Sequence, residues 1–216
     1  MDRARQQLAS HVLWIGGAPD TGKSTVAQIL AERHELQVYH YDRHDARHHQ
    51  RLAETIPRYR AFLSASLDER WVRPKPEALL QRSLQSFRDR FPLVIEDLLA
   101  LPGEPLILAE GFGLTPELVF PILAGNHQAI WLVPTEQFKR ASMQRRDKPS
   151  FRHETSDPDL ARQNLFRRDL LLAEYVRKQA PAFGLTVHEV DSTRSVEQVA
   201  ALVEQHFAAH LRARRR

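Results

Sequence analysis

Residues 12–30 read VLWIGGAPDTGKSTVAQIL, and the part from Gly17 to Ser24 fits the phosphate-binding motif G-x-x-x-x-G-K-[ST]. An apolar run precedes the glycines, and apolar residues follow Ser24 at helical spacing. This predicts the order strand, turn, helix that the motif requires. Glycines let backbone N–H groups point inward at a phosphate, and the N-terminus of the following helix adds positive charge there. The stretch therefore predicts a nucleotide-phosphate site built from backbone amides.

The side chains of this phosphate loop, defined here as residues 17–25, add two specific functions. Lys23 can reach the β- and γ-phosphates, and the Ser24 hydroxyl can ligate Mg²⁺. We therefore expect Lys23 to be catalytic and Ser24 to hold the metal. Nucleotide binding is expected from Gly17, Ala18, Pro19, Asp20, Thr21, Gly22, Lys23, Ser24 and Thr25.

The composition is that of one globular enzyme-sized domain, and we interpret residues 1–216 as a single domain. The chain contains no cysteine, which excludes disulfides, thiolate catalysis and cysteine-based zinc sites. The net charge of +4 suits nucleic acid or nucleotide phosphates, but the basic tail lacks the interleaved aromatic residues typical of nucleic-acid binding. The first apolar run is too short for a signal peptide or a membrane span, so we expect a cytoplasmic protein without a membrane partner.

Five short, mostly apolar segments alternate with helical patterns, which predicts a parallel sheet with helices on both faces. Ligands of such sheets bind at the carboxyl ends of the strands. The predicted strands are Val12–Ile15, Gln37–His40, Leu106–Ala109, Ala129–Val133 and Thr186–Val190.

A long helical insertion, about residues 43–103, separates the second and third strands. Leu80, Leu84 and Phe87 lie on one predicted helix face, and Pro92 is expected to start a second helix. The insertion is too small for a separate domain and is well placed to form the wall of an acceptor pocket.

Two carboxylates follow strands near the expected phosphate site. Glu110 ends the third strand as a Walker B carboxylate does, which favours a role at the metal or at a water that ligates it. Asp42 follows the second strand, where a carboxylate can take the proton of an acceptor hydroxyl. Asp45 is the alternative base, and an N-cap role for Asp42 is the structural alternative.

Histidines cluster around Asp42, at positions 40, 44, 48 and 49. His44 and His48 are four residues apart, so they could share a helix face and hold a transition metal. A polar helix face beside a phosphate site is the simpler interpretation.

Arginines and lysines concentrate between the fourth and fifth strands. Arginine binds phosphate oxygens with two donors and stays charged, as a lid over a transferring phosphoryl group requires. We expect a lid at about residues 140–160, with Arg145 and Arg146 catalytic and Arg140 binding the nucleotide. The acceptor pocket is expected to draw on Arg43, Trp71, Arg73 and Phe112.

With the phosphate loop, Asp42, Glu110-Gly111 and an arginine-rich lid in this order, the chain resembles the P-loop small-molecule kinases. These include uridine, nicotinamide riboside, gluconate and shikimate kinases and antibiotic phosphotransferases. The segments Trp14–Pro19, Trp71–Pro74, Glu96–Leu99 and Ala129–Pro134 are most similar to an uncharacterised bacterial group of P-loop kinase-like proteins. The resemblance implies a three-layer α/β/α fold with a five-stranded parallel sheet in the order 2-3-1-4-5. It also implies ATP, Mg²⁺ and phosphoryl transfer to a hydroxyl.

The leading hypothesis is therefore an ATP- and Mg²⁺-dependent kinase of a small metabolite that carries a hydroxyl. A regulatory nucleotide switch is the first alternative, although the guanine motif Asn-Lys-x-Asp and the transporter signature Leu-Ser-Gly-Gly-Gln are both missing. A nucleic-acid kinase or binding protein is the second, supported only by the basic charge. The acceptor and the oligomeric state stay open at this point.

Overall fold

The three central strands form because their mostly apolar residues can be buried from both sides, whereas the two edge strands are only partly buried. The protein is described by a computed structural model that covers residues 3–145 and 154–213. All strand pairs are parallel, and the order is β2-β3-β1-β4-β5, as the resemblance implies. The strands are β1 (Val12–Gly17), β2 (Gln37–His40), β3 (Ile107–Glu110), β4 (Ala129–Pro134) and β5 (Thr186–Val190).

The register brings the chemistry-bearing strand ends to one edge of the sheet. Ile15 of β1 and His40 of β2 both pair with Glu110 of β3, and Gly17 pairs with Leu132 of β4. The phosphate loop, Asp42 and Glu110 therefore all lie at the same edge of the sheet, where the strands end.

Helices connect these strands. They are α1 (Arg3–His11), α2 (Lys23–His34), α3 (Asp45–Thr55), α4 (Pro57–Ser64), α5 (Leu67–Trp71), α6 (Pro76–Ala100), α7 (Pro116–Val119), α8 (Glu136–Arg145), α9 (Pro158–Ala182), α10 (Val196–His206) and α11 (Ala208–Ala213). The insertion between β2 and β3 thus contains α3 to α6. None of the helices within the described ranges is both long and apolar enough to cross a membrane.

The sheet separates two hydrophobic cores, which gives the predicted three layers. Alternate residues of β1 point to opposite faces: Val12 and Trp14 join α6 and α9, whereas Leu13 and Ile15 join α2 and α10. Burial of both faces of β1 holds the phosphate loop on a rigid central strand.

The prediction that Pro92 starts a second helix is wrong. A single helix, α6, continues through Pro92 to Ala100. Phe87 before the proline and Val94 and Leu98 after it are buried in the same core. Because both segments pack on one surface, the energy of that packing offsets the loss of the backbone hydrogen bond that proline cannot donate.

The lid expected at residues 140–160 is only partly described. Residues 140–145 end α8, and residues 158–160 begin α9. Arg146 and the rest of the segment up to residue 153 lie outside the described residues.

Candidate functional site

The phosphate loop has the backbone conformation that its glycines allow. Gly17 has φ of 116°, and a Cβ atom there would lie 1.9 Å from the carbonyl oxygen of Leu132. Gly22 has φ of 82° and leads directly into α2, so the loop ends at a helix N-terminus. Asp20 also has a positive φ, 65°. The loop therefore winds tightly at three points, and a side chain at Gly17 would not fit.

Lys23 is buried inside the loop. Its Nζ donates to the carbonyl oxygen of Ala18 at 2.6 Å and to Thr21 Oγ1 at 3.3 Å. Burial lowers the pKa of Lys23, and the nearby carboxylates of Glu110, Asp42 and Asp20 oppose this effect. The ammonium group is thus held within the loop by oxygen atoms, in the position where a phosphate would need a cation.

The two residues expected at the metal contact each other. Ser24 Oγ donates to Glu110 Oε1 at 3.0 Å, and Glu110 is only 3% exposed. His40 Nδ1 lies 2.7 Å from the same carboxylate oxygen. Hydroxyl and carboxylate oxygens are the ligands that Mg²⁺ prefers, so this pair fits that ion. Sequence reasoning placed His40 only among the histidines around Asp42; its register opposite Glu110 would have indicated this contact once β2 and β3 were paired.

Asp42 and Asp45 differ in what surrounds them. Asp45 forms an ion pair with the buried guanidinium of Arg90, and its carboxylate lies 3.1 Å from His49 Nδ1. Burial raises the pKa of Asp45, but the hydrogen bond from His49 and the charge of Arg90 outweigh this and leave it below its usual value. Asp45 is therefore held as a structural anion.

Asp42 is reachable by solvent but lies inside a concave cavity. Loss of surrounding water raises its pKa to about 6; Lys23 opposes this, and the carboxylates of Glu110 and Asp45 add to it. No N-cap hydrogen bond from Asp42 starts α3, whose N-cap residue is His44. Of the two candidate bases, Asp42 has the pKa suited to accepting a proton near neutral pH.

The cavity beside the loop has a volume of about 780 Å³. Asp20 of the phosphate loop and Asp42 line it, so it adjoins the expected γ-phosphate position. Much of the remaining wall comes from aromatic rings of the insertion and of the segment after β3: Tyr59, Phe62, Trp71, Phe87 and Phe112. This size and lining are typical of small-molecule sites.

Lys139 connects the loop to α9. It is 1% exposed, and its Nζ donates to Asp20 Oδ2 and to Asp169 Oδ2, each at 2.5 Å. Arg168 Nε donates to the other oxygen of Asp169 at 2.7 Å. Sequence reasoning placed Lys139 only within a basic stretch, because its partners are 119 and 30 residues away along the chain.

Two of the predicted cations, Arg140 and Arg145, do not line this cavity. Arg140 pairs with Glu136 within α8 at 2.8 Å, and its guanidinium carbon lies 4.9 Å from the centre of the Phe166 ring. Arg145 is exposed near Phe138. Neither belongs to the described cavity lining. The roles expected for Arg140 and Arg145 thus stay predictions, as does that of Arg146, which is outside the described residues.

The expected acceptor residues divide in the same way. Trp71 and Phe112 line the cavity, whereas Arg43 and Arg73 are exposed and do not. Arginines that do line the cavity, among them Arg70 and Arg82, were missed. Arg82 lies one helical turn before Ser86, another cavity residue, so a polar stripe on α6 was the signal that could have found it.

Two of the histidines near Asp42, His44 and His48, are part of a separate polar cluster. Asp97 Oδ2 accepts from the Tyr39 hydroxyl at 2.9 Å and lies 2.9 Å from His48 Nε2 and 3.6 Å from His44 Nδ1. The described residues contain no group of three or more histidine, aspartate or glutamate side chains placed to hold a metal. The cluster joins α3 to α6 and β2.

Comparison with known proteins gives only distant likenesses. No protein-family model and no curated protein matches the chain. Three solved structures illustrate the similarity. A shikimate kinase from Acinetobacter baumannii is 17% identical, covers 95% of this chain and 97% of its own, and has a TM-score of 0.47. A gluconokinase from Sinorhizobium meliloti is 14% identical, with coverage of 95% and 94% and a TM-score of 0.47. A deoxyadenosine kinase from M. mycoides is 8% identical, with coverage of 92% and 99% and a TM-score of 0.48.

The class of protein follows from the chain's own topology. A parallel sheet in the order 2-3-1-4-5, with a glycine-rich loop between β1 and α2, is a three-layer P-loop α/β fold. The subgroup within this class is not defined by the fold.

Proposed function

We propose that this protein transfers the γ-phosphoryl group of ATP to a hydroxyl of a small molecule bound in the 780 Å³ cavity. The observation that carries the proposal is the shared position of Asp20 and Asp42. One belongs to the phosphate loop, the other is a carboxylate whose pKa is raised to about 6, and both line the same cavity. A nucleotide switch would have no use for an aromatic cavity of this size opening onto its loop.

In this proposal the phosphate loop and Lys23 hold the β- and γ-phosphates. Ser24 and Glu110 are the residues that would hold Mg²⁺, and the bound ion would neutralise charge on the phosphate oxygens. Lys23 is already enclosed by oxygen atoms of the loop, so little reorganisation is needed when phosphate oxygens replace them.

Asp42 orients the acceptor hydroxyl and accepts its proton. Its pKa of about 6 means that it is mostly ionised at pH 7 and still basic enough to take a proton. Asp45 is excluded from this role because Arg90 and His49 already occupy its carboxylate.

The first test is binding of Mg²⁺-ATP by calorimetry, followed by incubation with a panel of hydroxylated metabolites and identification of phosphate esters by ³¹P NMR. The variant Lys23→Met removes the loop cation, and Lys178→Met is the matched control because Lys178 is 71% exposed and pairs with Glu174 on the same helix. We expect nucleotide binding and acceptor-dependent ester formation in the native protein and in Lys178→Met. A loss of about 10³-fold in rate is expected for Lys23→Met.

Absence of Mg²⁺-ATP binding by the folded native protein would overturn the proposal. ATP hydrolysis at a constant rate whatever acceptor is added, together with a partner bound only in one nucleotide state, would instead support the switch. Equal rates for Lys23→Met and Lys178→Met would refute the role proposed for the phosphate loop in the reaction.

A further inference from the structure

Three arginines from separate helices line one cavity. Arg70 lies on α5, Arg82 on α6 and Arg168 on α9. The guanidinium carbon of Arg82 lies 5.2 Å from the centre of the Phe62 ring and 5.3 Å from that of Trp71, and the guanidinium carbon of Arg70 lies 4.8 Å from Phe62. We name this group the arginine cluster. It combines cationic groups with flat apolar surfaces.

Most other cavity cations are neutralised by the protein. Arg58 forms an ion pair with Asp89, and Arg90 forms one with Asp45. Lys139 has two aspartate partners. The charges of these three cations are therefore balanced by aspartates of the protein itself.

The arginine cluster is different because its charge is not balanced. Arg168 is paired with Asp169, and because Lys139 has a second partner in Asp20, the unbalanced charges are those of Arg70 and Arg82. No carboxylate within residues 3–145 and 154–213 pairs with Arg70 or Arg82. Arg70 donates instead to the backbone carbonyl of Leu63, and Arg82 donates to that of Arg70. Arg70 Nε is buried and lacks a hydrogen-bond partner among the described atoms.

The three cations also act on one another. Burial lowers the pKa of Arg82, and the charges of Arg168 and Arg70 lower it further. Half-buried like charges that lower one another's pKa destabilise the folded protein unless an anion is bound between them. A bound anionic ligand would offset this loss of stability.

We propose that Arg70, Arg82 and Arg168 bind a carboxylate or phosphate group of the acceptor, while Phe62 and Trp71 pack against its apolar or aromatic body. The inference rests on the proposed function, since it names the class of acceptor: a hydroxylated molecule that already carries an oxyanion. Arginine suits this role because its planar fork donates two hydrogen bonds to one oxyanion.

Trp71 provides a direct readout of the site. The other two tryptophans, Trp14 and Trp131, are fully buried in the core, so a ligand in the cavity changes the fluorescence of Trp71. The probes are phenyl phosphate, 3-phenyllactate and the neutral 3-phenyl-1,2-propanediol, titrated in the presence of Mg²⁺ and ADP. The first two separate a phosphate from a carboxylate source, and the third has a similar body without charge.

The test compares Arg82→Gln with Arg73→Gln. Both changes remove an arginine within eleven residues of Trp71, but Arg73 is 71% exposed and pairs with Glu69 outside the cavity. In the native protein we expect at least one anion to bind about tenfold more tightly than the neutral diol. Arg82→Gln should remove this preference and leave the binding of the diol within about twofold, and Arg73→Gln should change neither.

Equal binding of the anions and the diol would overturn the proposal, and so would anion binding that survives Arg82→Gln. If Arg82→Gln does not fold, Arg82→Lys serves, because lysine keeps the charge but lacks the two-donor fork. That variant should weaken anion binding severalfold, and unchanged binding would again refute the arginine cluster.

This experiment does not depend on turnover. If phosphate esters form but anions do not bind more tightly than the diol, the role proposed for the arginine cluster is refuted and the kinase proposal is not. If anions bind but no ATP-dependent ester forms, the kinase proposal is refuted and the arginine cluster remains an anion-binding site.

Discussion

Replacement of Asp42 by asparagine should lower activity and raise stability. The folded-state pKa of about 6 lies above the value of 3.8 for an unperturbed aspartate, so the ionised carboxylate is disfavoured in the folded protein. A general base of this kind contributes about 10²- to 10⁴-fold to the rate. Asp42→Asn should therefore lose at least about 10²-fold in kcat with the substrate that the metabolite panel identifies.

The stability effect has a defined pH dependence. Below about pH 4 the carboxyl group is protonated in both states, and the two proteins should be equally stable. Between about pH 4 and pH 6 the unfolded chain ionises first, so the native protein loses stability relative to Asp42→Asn as pH rises. Above about pH 6 the difference is complete. For a fully buried group the rise in pKa would correspond to about 3 kcal/mol, but screening in the solvent-accessible cavity reduces this, and we expect about 1 kcal/mol.

Urea unfolding at pH 4, 5, 6 and 8, combined with initial rates, measures both effects. Asp45→Asn is the matched control, because it leaves buried Arg90 without its carboxylate partner. It should lower stability by about 3 kcal/mol while retaining most of the activity at a temperature where it is folded. If Asp42→Asn is as active as the native protein, or if its stability difference is the same at pH 4 and pH 8, the role assigned to Asp42 is wrong.

Two further changes test how the site is supported. Lys139→Met should lower the free energy of unfolding by about 3 kcal/mol, because it leaves two aspartates facing each other without their shared cation. A loss no greater than that of the exposed Lys178→Met in the same urea titration would contradict this. Gly113→Ala should cost about 2 kcal/mol, since its Cβ atom would lie 2.2 Å from Cζ of buried Tyr41. Thermal melting of Gly125→Ala, whose Cβ would meet nothing within 4 Å, is the control, and equal melting temperatures would show that the core adapts.

The parts of the fold predicted from sequence are those that local chemistry determines. The central strands β1, β3 and β4 are mostly apolar runs buried on both faces, whereas the edge strands β2 and β5 are only partly buried. All five were found, with β3 beginning one residue later than predicted. The phosphate loop was found because its conformation depends on residues next to one another. The α/β/α class and the strand order implied by the resemblance are confirmed.

The parts that were missed depend on contacts between distant segments. Pro92 looks like a helix boundary from its neighbours, but the surface beneath α6 decides that the helix continues. Lys139 looks like one cation in a basic stretch until α8 and α9 are placed beside the loop. Periodicity shows which face of a helix is buried, but it does not show which helix lies opposite.

The charges in the cavity are the clearest case of information that exists only in three dimensions. Asp42 and Arg82 line the same cavity, and neither forms an ion pair with a described residue, although a carboxylate and a guanidinium free to meet would bind each other. They remain apart because each is anchored elsewhere, Asp42 just after β2 and Arg82 in the second turn of α6. The fold thus keeps an anion and a cation unpaired within one cavity. A ligand with a hydroxyl near Asp42 and an oxyanion near Arg82 would satisfy both at once, whereas a neutral polyol would leave the cation unbalanced.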